Sequence, residues 1–159
     1  MPDIQQKVEQ LSAYGALLKQ EIEGLGSEIL NCQTEICERS ISGIIYHLDY
    51  HEQLFATNYI RSLLYLKEPR FQSFVDEEEW NTYAADTTML QLASFQRERA
   101  RNCELLLLSY PHAWSRKGLH EKRGPVNLQY TVDSLLMHDE YHLLQIQKIK
   151  QSRIDQNAC

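Results

Sequence analysis

Four stretches of this chain repeat apolar residues at helical spacing, and no strand-like alternation competes with them. The first runs Ile4, Val8, Leu11, Leu18, Ile22 and Leu25, with Gly15 in the vacant slot, which leaves one apolar stripe along a helix. Asp3 with Gln6 forms a capping-box pair at its start, and Gly24 and Gly26 weaken its end. A second helix is predicted from about Ser40 to Leu66, with Ile41, Ile44, Ile45, Leu48, Phe55, Tyr59 and Leu63 on or near one face, ending before Pro69. The third carries Leu92, Phe95, Arg99, Cys103 and Leu106; Thr88 with Gln91 offers its capping box, and it ends near Ser109, before Pro111. The fourth begins near Asn127 and carries Leu128, Val132, Leu135, His142, Ile146 and Ile149. Ser27 to Arg39 reads as a connection with room for one short helix, and Tyr110 to Pro125 as a loop with two glycines. Lys67 to Ala85 lacks sustained periodicity, and its length of about twenty residues exceeds what a tight helical hairpin needs. Such a link can cross a bundle from end to end.

The expected fold is therefore all-α, a four-helix bundle with a long crossover between helices 2 and 3, and 159 residues are enough for one such domain spanning 1–159. Only six glycines and four prolines interrupt the chain, which suits long helices. A net charge of −6 argues against a nucleic-acid partner, because binding along phosphates draws on clustered Lys and Arg and the basic run Arg116 to Arg123 is short. No stretch approaches the roughly 20 apolar residues of a membrane span, and the first residues lack the order of a signal peptide. A cytoplasmic location without a membrane partner is the expectation. Cys32, Cys37, Cys103 and Cys159 show no CxxC spacing and read as reduced thiols, the last as an exposed, oxidisable end.

Two histidine pairs share one spacing, HLDYH from His47 to His51 and HDEYH from His138 to His142. Residues four apart on a helix are neighbours, so each pair can aim two imidazoles at one ion. His142 lies in the middle of its apolar stripe and His138 at the shoulder, where an unpaired polar group costs a few kcal/mol. A metal would remove that cost, and so would a hydrogen bond to a carboxylate, the commoner fate of a buried histidine. The second pair tips the balance, since His47 or His51 could complete a three-histidine set with water in the remaining positions, the open arrangement of catalytic metals. Periodicity leaves the choice between them open: His47 aligns with Ile44 and Leu54, His51 with Leu48 and Phe55.

Several words occur in an order that resembles one family. In SISGIIYHLDYHEQL a His-Leu pair is followed by a Glu five residues after the His, which His47, Leu48 and Glu52 fit. Phe95 with Arg99 follows, then WSRKGLHEKRG, with Trp114, Arg116, Gly118, His120 and Gly124, and finally HDEYHLLQI, with His138, Asp139, His142, Leu143, Gln145 and Ile146. Together these make the chain, from about Ser40 to Ile149, similar to the DinB/YfiT-like superfamily of metal-dependent four-helix bundles. The resemblance implies the crossover topology and a divalent metal held by His47, His138 and His142, which selects His47 over His51.

The remaining polar residues keep two readings each. His51 either lines the pocket as a proton shuttle or lies at the surface or behind the ligands. Arg116 and His120 either touch substrate or pin their loop; His112 reads as surface. Arg99, if buried, needs an acidic partner or an anionic ligand. Glu52 and Asp139 either orient imidazoles or face solvent, the simpler view. Imidazole ligands select zinc, nickel, copper or iron over magnesium and calcium, and the resemblance favours zinc or nickel. It further implies a hydrolase or a thiol S-transferase acting on a small molecule, with a low-molecular-weight thiol as one candidate. The alternative is a metal-stabilised or metal-sensing helical protein without turnover, forming a homodimer through its first helix or another apolar face. A haem-binding bundle, with histidines as axial ligands, is the weakest of the readings.

Overall fold

The computed structural model describes residues 4–33, 39–72 and 85–157, without the side chains of Phe55 and 154–157. Helix α1, Ile4–Ile22, buries Val8, Leu11, Gly15, Leu18 and Ile22, the stripe expected from its spacing. It stops at Gly24, whose φ of +82° is the left-handed conformation that glycine adopts without a Cβ clash. The one-turn helix α2, Ser27–Leu30, lies in the connection that follows. Helix α3, Ile41–Tyr50, opens on Ser40, whose hydroxyl accepts from the Gly43 amide at 3.1 Å. It continues without a break through a π-helical segment, His51–Ala56, into α4, Thr57–Tyr65. Helix α5, Thr88–Leu108, follows a 3₁₀ turn, Ala85–Thr87, and α6 spans Leu128–Asn157.

Cross-helix hydrogen bonds fix the directions. The carbonyls of Gly15, Leu11 and Val8 on α1 meet Gln96, Arg99 and Cys103 on α5, so these two helices run antiparallel. Lys7 meets Asp133 and Glu21 meets Lys150, so α1 and α6 are parallel. Ser42 meets Thr88 and Glu52 meets Asn102, so α3–α4 runs parallel to α5. Both α1 and α3–α4 pack against α5 and α6, which sets α1 diagonally across from α3–α4. Two consecutive long helices that run parallel need a link as long as the bundle, roughly 37 Å for residues 41–65 at 1.5 Å per residue. Residues 66–87 provide it, and extended chain of that length more than suffices. Its middle, 73–84, and the expected capping residue Asp3 lie outside the described residues, as do Cys37 and Cys159.

The structure departs from the expected loops in two places. Residues 110–125 hold the start of a hairpin, in which β2, Lys117–His120, pairs antiparallel with β3, Gly124–Asn127, while β1, Arg70–Phe71, adds in parallel to β2. These strands are too short for alternation to register in the sequence. The Thr88–Gln91 capping box does not form: the 3₁₀ turn starts the helix earlier, and the Thr88 hydroxyl donates to Ser42 at 2.8 Å instead. Asn127 caps α6, its Oδ1 accepting from the Tyr130 amide at 2.9 Å.

The apolar core is split. One cluster, with Tyr59, Ile60, Leu63, Leu106, Val132 and Leu135, lies toward the sheet. The other, with Leu18, Ile44, Leu48, Phe95, Ile146 and Ile149, lies toward the opposite end. Between them runs a layer of polar side chains.

Candidate metal centre

His47 sits on α3 with its side chain inward, and α6 runs antiparallel beside it, presenting His138 and His142 one turn apart. The Nε2 atoms of His47 and His138 are 3.0 Å apart, and one ligand atom from each of the three residues falls within 4.8 Å of the others. A tetrahedral zinc with bonds of 2.0–2.1 Å would hold its nitrogens about 3.3 Å apart, so the three rings are close to the spacing one ion requires. His142 Nδ1 donates to Gln145 Oε1 at 2.7 Å, which leaves its Nε2 lone pair for a metal. His47 and His142 are buried at 5% and 3% exposure, while the His138 side chain is 21% exposed, giving the cluster one edge toward solvent.

Burial sets the protonation of His47 and His142. It pulls His47 down to about 2, with His142 and His138 adding to the effect, and His142 down to about 3, with His138 adding. Neutral imidazole is the form that binds a metal, so these residues fit a divalent cation of the zinc, nickel, copper or iron kind. His51 is half-buried, its ring stacked on His138 with centroids 4.1 Å apart, and burial brings it to about 2 as well.

One turn further into the bundle the polar layer becomes ionic. Arg99 on α5 is 3% exposed; its Nη2 donates to Glu52 Oε2 at 2.8 Å and its Nη1 to Asp139 Oδ2. Nη1 also donates to the Leu11 carbonyl at 3.1 Å, and the guanidinium lies 4.7 Å from the Phe95 ring centre. Asn102 Nδ2 donates to Glu52 Oε1 at 2.7 Å. Burial opposes charge on Arg99, but the two carboxylates outweigh it and raise its pKa. Burial likewise pushes the Asp139 carboxyl up, and Arg99 together with His138 brings it below its ordinary value. The solvent-facing view of Glu52 and Asp139 is thus corrected: both side chains are 1% exposed and paired with Arg99.

No protein-family model matches the sequence, and no curated protein does. Among solved structures, YfiT from Bacillus subtilis, described as a probable metal-dependent hydrolase with an unusual four-helix bundle topology, is similar with a TM-score of 0.82. The match covers 94% of this chain and 87% of that one, at 19% sequence identity. The fold is YfiT-like.

Within this YfiT-like bundle the other candidates separate. Arg116 and His120 are not brought to the histidines. Arg116 donates to the carbonyls of Leu64, at 2.6 Å, and Leu66 at the end of α4, roughly 25 Å along the helix from His47 at 1.5 Å per residue. His120 lies on β2, its Nδ1 accepting from the Lys122 amide at 3.1 Å. Their neighbours in WSRKGLHEKRG are structural too. Trp114 donates to the Leu106 carbonyl at 3.1 Å, Gly118 fits under Phe71 and Pro69, and Gly124 takes a φ of +74° at the turn. His112 is exposed. Cys103 faces the core, its thiol raised to about 11 by burial, which makes it a poor nucleophile. Asn102 and Gln145 as partners were not foreseen, though Asp139 occupies the stripe position between Leu135 and His142, a signal that it points inward.

Proposed function

We propose that His47, His138 and His142 hold one divalent metal, zinc or nickel, and that the chain is a metal-dependent enzyme acting on a small molecule, as a hydrolase or a thiol S-transferase. The observation that carries this reading is the convergence of the three imidazoles, with Nε2 of His47 and His138 3.0 Å apart and the His142 tautomer set by Gln145. A metal at such a site supplies Lewis acidity, lowering the pKa of a bound water or stabilising a thiolate as nucleophile. The description of YfiT as a probable metal-dependent hydrolase supports the first of the two reactions. The residues of the chain perform the remaining work. His47 and His142 are supplied neutral, so binding requires no proton release from them near neutral pH. His138, the ring with an exposed edge, marks the side from which substrate approaches, and His51 stacks against it there. His51, stacked on His138 and outside the three-nitrogen set, would orient a substrate or a water beside the ligands.

Metal analysis of protein purified without a His tag tests the site. Wild type should carry close to one equivalent and His142→Ala almost none; equal metal in both would defeat the assignment. A panel of esters, thiols and electrophiles then tests turnover. Metal-loaded protein inert across the whole panel would move the reading to a metal-stabilised or metal-sensing protein.

A further inference from the structure

The ionic layer is larger than the three histidines need. Burying a guanidinium and two carboxylates costs several kcal/mol per ion, and apolar side chains of similar volume commonly serve stability as well or better. Stability alone is therefore a poor reason for Arg99, Glu52 and Asp139 to occupy the middle of the bundle. Their position offers a better one. Glu52 lies in the π-helical segment that continues α3, five residues after His47, and Asp139 lies on α6 between His138 and His142. Arg99 bonds both carboxylates and the Leu11 carbonyl of α1, so one guanidinium spans the two helices that carry the ligands and a third that carries none. Asn102 holds the other oxygen of Glu52 and donates to the Thr57 hydroxyl at 3.1 Å, and that hydroxyl donates to the Glu52 carbonyl at 3.0 Å. The carboxylate is thereby fixed at both oxygens and its backbone at the carbonyl.

We propose that Arg99, acting through Glu52 and Asp139, is a positioning clamp that sets the separation of α3 from α6, so that the nitrogens of His47, His138 and His142 meet at one ion. The proposal rests on the metal reading above. It differs from a purely electrostatic role in the sign of its prediction. Removing the Arg99 charge leaves two buried carboxylates near the site, which by Coulomb's law would tighten cation binding; loss of the clamp weakens it.

The experiment compares wild type, Arg99→Met, Glu52→Gln and the control Leu106→Ala, which thins the apolar cluster near the sheet. Zinc affinity is measured by competition with a chromophoric chelator, and the visible spectrum of the cobalt-substituted protein reports ligand geometry. Thermal melts report stability. The clamp variants should bind zinc roughly 10–100-fold more weakly, the range for loss of an outer partner of a metal ligand, with altered cobalt bands. Leu106→Ala should lose stability yet keep wild-type affinity and spectrum. Should Arg99→Met fail to fold, the cobalt bands of Glu52→Gln carry the test: losing a carboxylate lowers zinc affinity on either reading, but only loss of the clamp alters ligand geometry, so weaker binding with unchanged bands there would overturn the clamp. Clamp variants with unchanged or tighter affinity and unchanged cobalt bands would overturn the clamp while leaving the metal site standing. Wild type that binds neither zinc nor cobalt would overturn the metal reading and the clamp together.

Discussion

The residues about the candidate metal centre divide by what they touch. His142 is fixed by Gln145 and aimed at the cluster, so His142→Ala should weaken zinc binding beyond the roughly 100-fold that loss of an outer partner can cost. His51 stacks on His138 outside the three-nitrogen set, so His51→Ala should keep the metal and lower turnover, read by metal analysis beside an activity assay. The same burial has a pH signature in metal-free protein. His47, His51 and His142 take up protons near 6.5 when unfolded but only at about 2 to 3 when folded. Between those values the unfolded state binds more protons, so stability should be full above about pH 7 and fall as pH drops below about 6.5. Each ring contributes at most about 1.4 kcal/mol per pH unit. Melts in chelator that stay flat from pH 7.5 to 5 would contradict buried, neutral rings.

At the scale of elements, the π-helical segment between α3 and α4 is the least ordinary feature. It takes in one more residue per turn than an α-helix and lets His47, Leu48, Glu52 and Ala56 all point inward. Deleting Leu54, which is 42% exposed, should let the segment close into plain α-helix, with α3 and α4 kept in register but Glu52 shifted from its place against Arg99. Metal binding should weaken while far-UV circular dichroism keeps its helical form. In the sheet, a Cβ at Gly118 would lie 2.4 Å from Phe71 Cε2 and 3.0 Å from the Pro69 carbonyl. Gly118→Ala should cost about 1–3 kcal/mol in denaturant unfolding, with metal affinity unaffected. These elements also show what the sequence can reveal. Apolar stripes such as Val8–Leu11–Leu18–Ile22 are periodic and so announce their helices, and the two histidine pairs mark candidate ligands because i, i+4 is a geometric relation on one helix, while the choice of His47 over His51 comes from the family resemblance and not from the spacing. The π-helical segment has no such period, for His51 to Ala56 reads equally well as α-helix. Strands of two to four residues show no alternation. Arg99 was visible as a misfit in its stripe, but pairing it with Glu52 and Asp139 required the packing of three helices.

For the whole molecule, the parallel order of α3–α4 and α5 and the crossover of residues 66–87 follow from the same cross-helix contacts, and the similarity to YfiT extends over most of both chains. Among the described residues no helix is long and apolar enough to cross a membrane. Because the three histidines lie where two helices meet between the two apolar clusters, a bound ion should stabilise the entire fold. Zinc at a hundred times its dissociation constant should add about 2.7 kcal/mol, visible as a higher Tm that chelator reverses. An unchanged Tm would mean no ion binds the native state preferentially. The charged layer acts on a different property, the choice among near-equivalent packings. Apolar helix faces can slide past one another by a turn, about 5.4 Å, and still bury oil against oil. Arg99 cannot follow such a slide, because its fork meets Glu52, Asp139 and the Leu11 carbonyl at one height only. A slipped bundle would leave a buried charge without its partner, at a cost of about 3–5 kcal/mol. The layer thus works as a vernier, with a single mark at which all four helices read true.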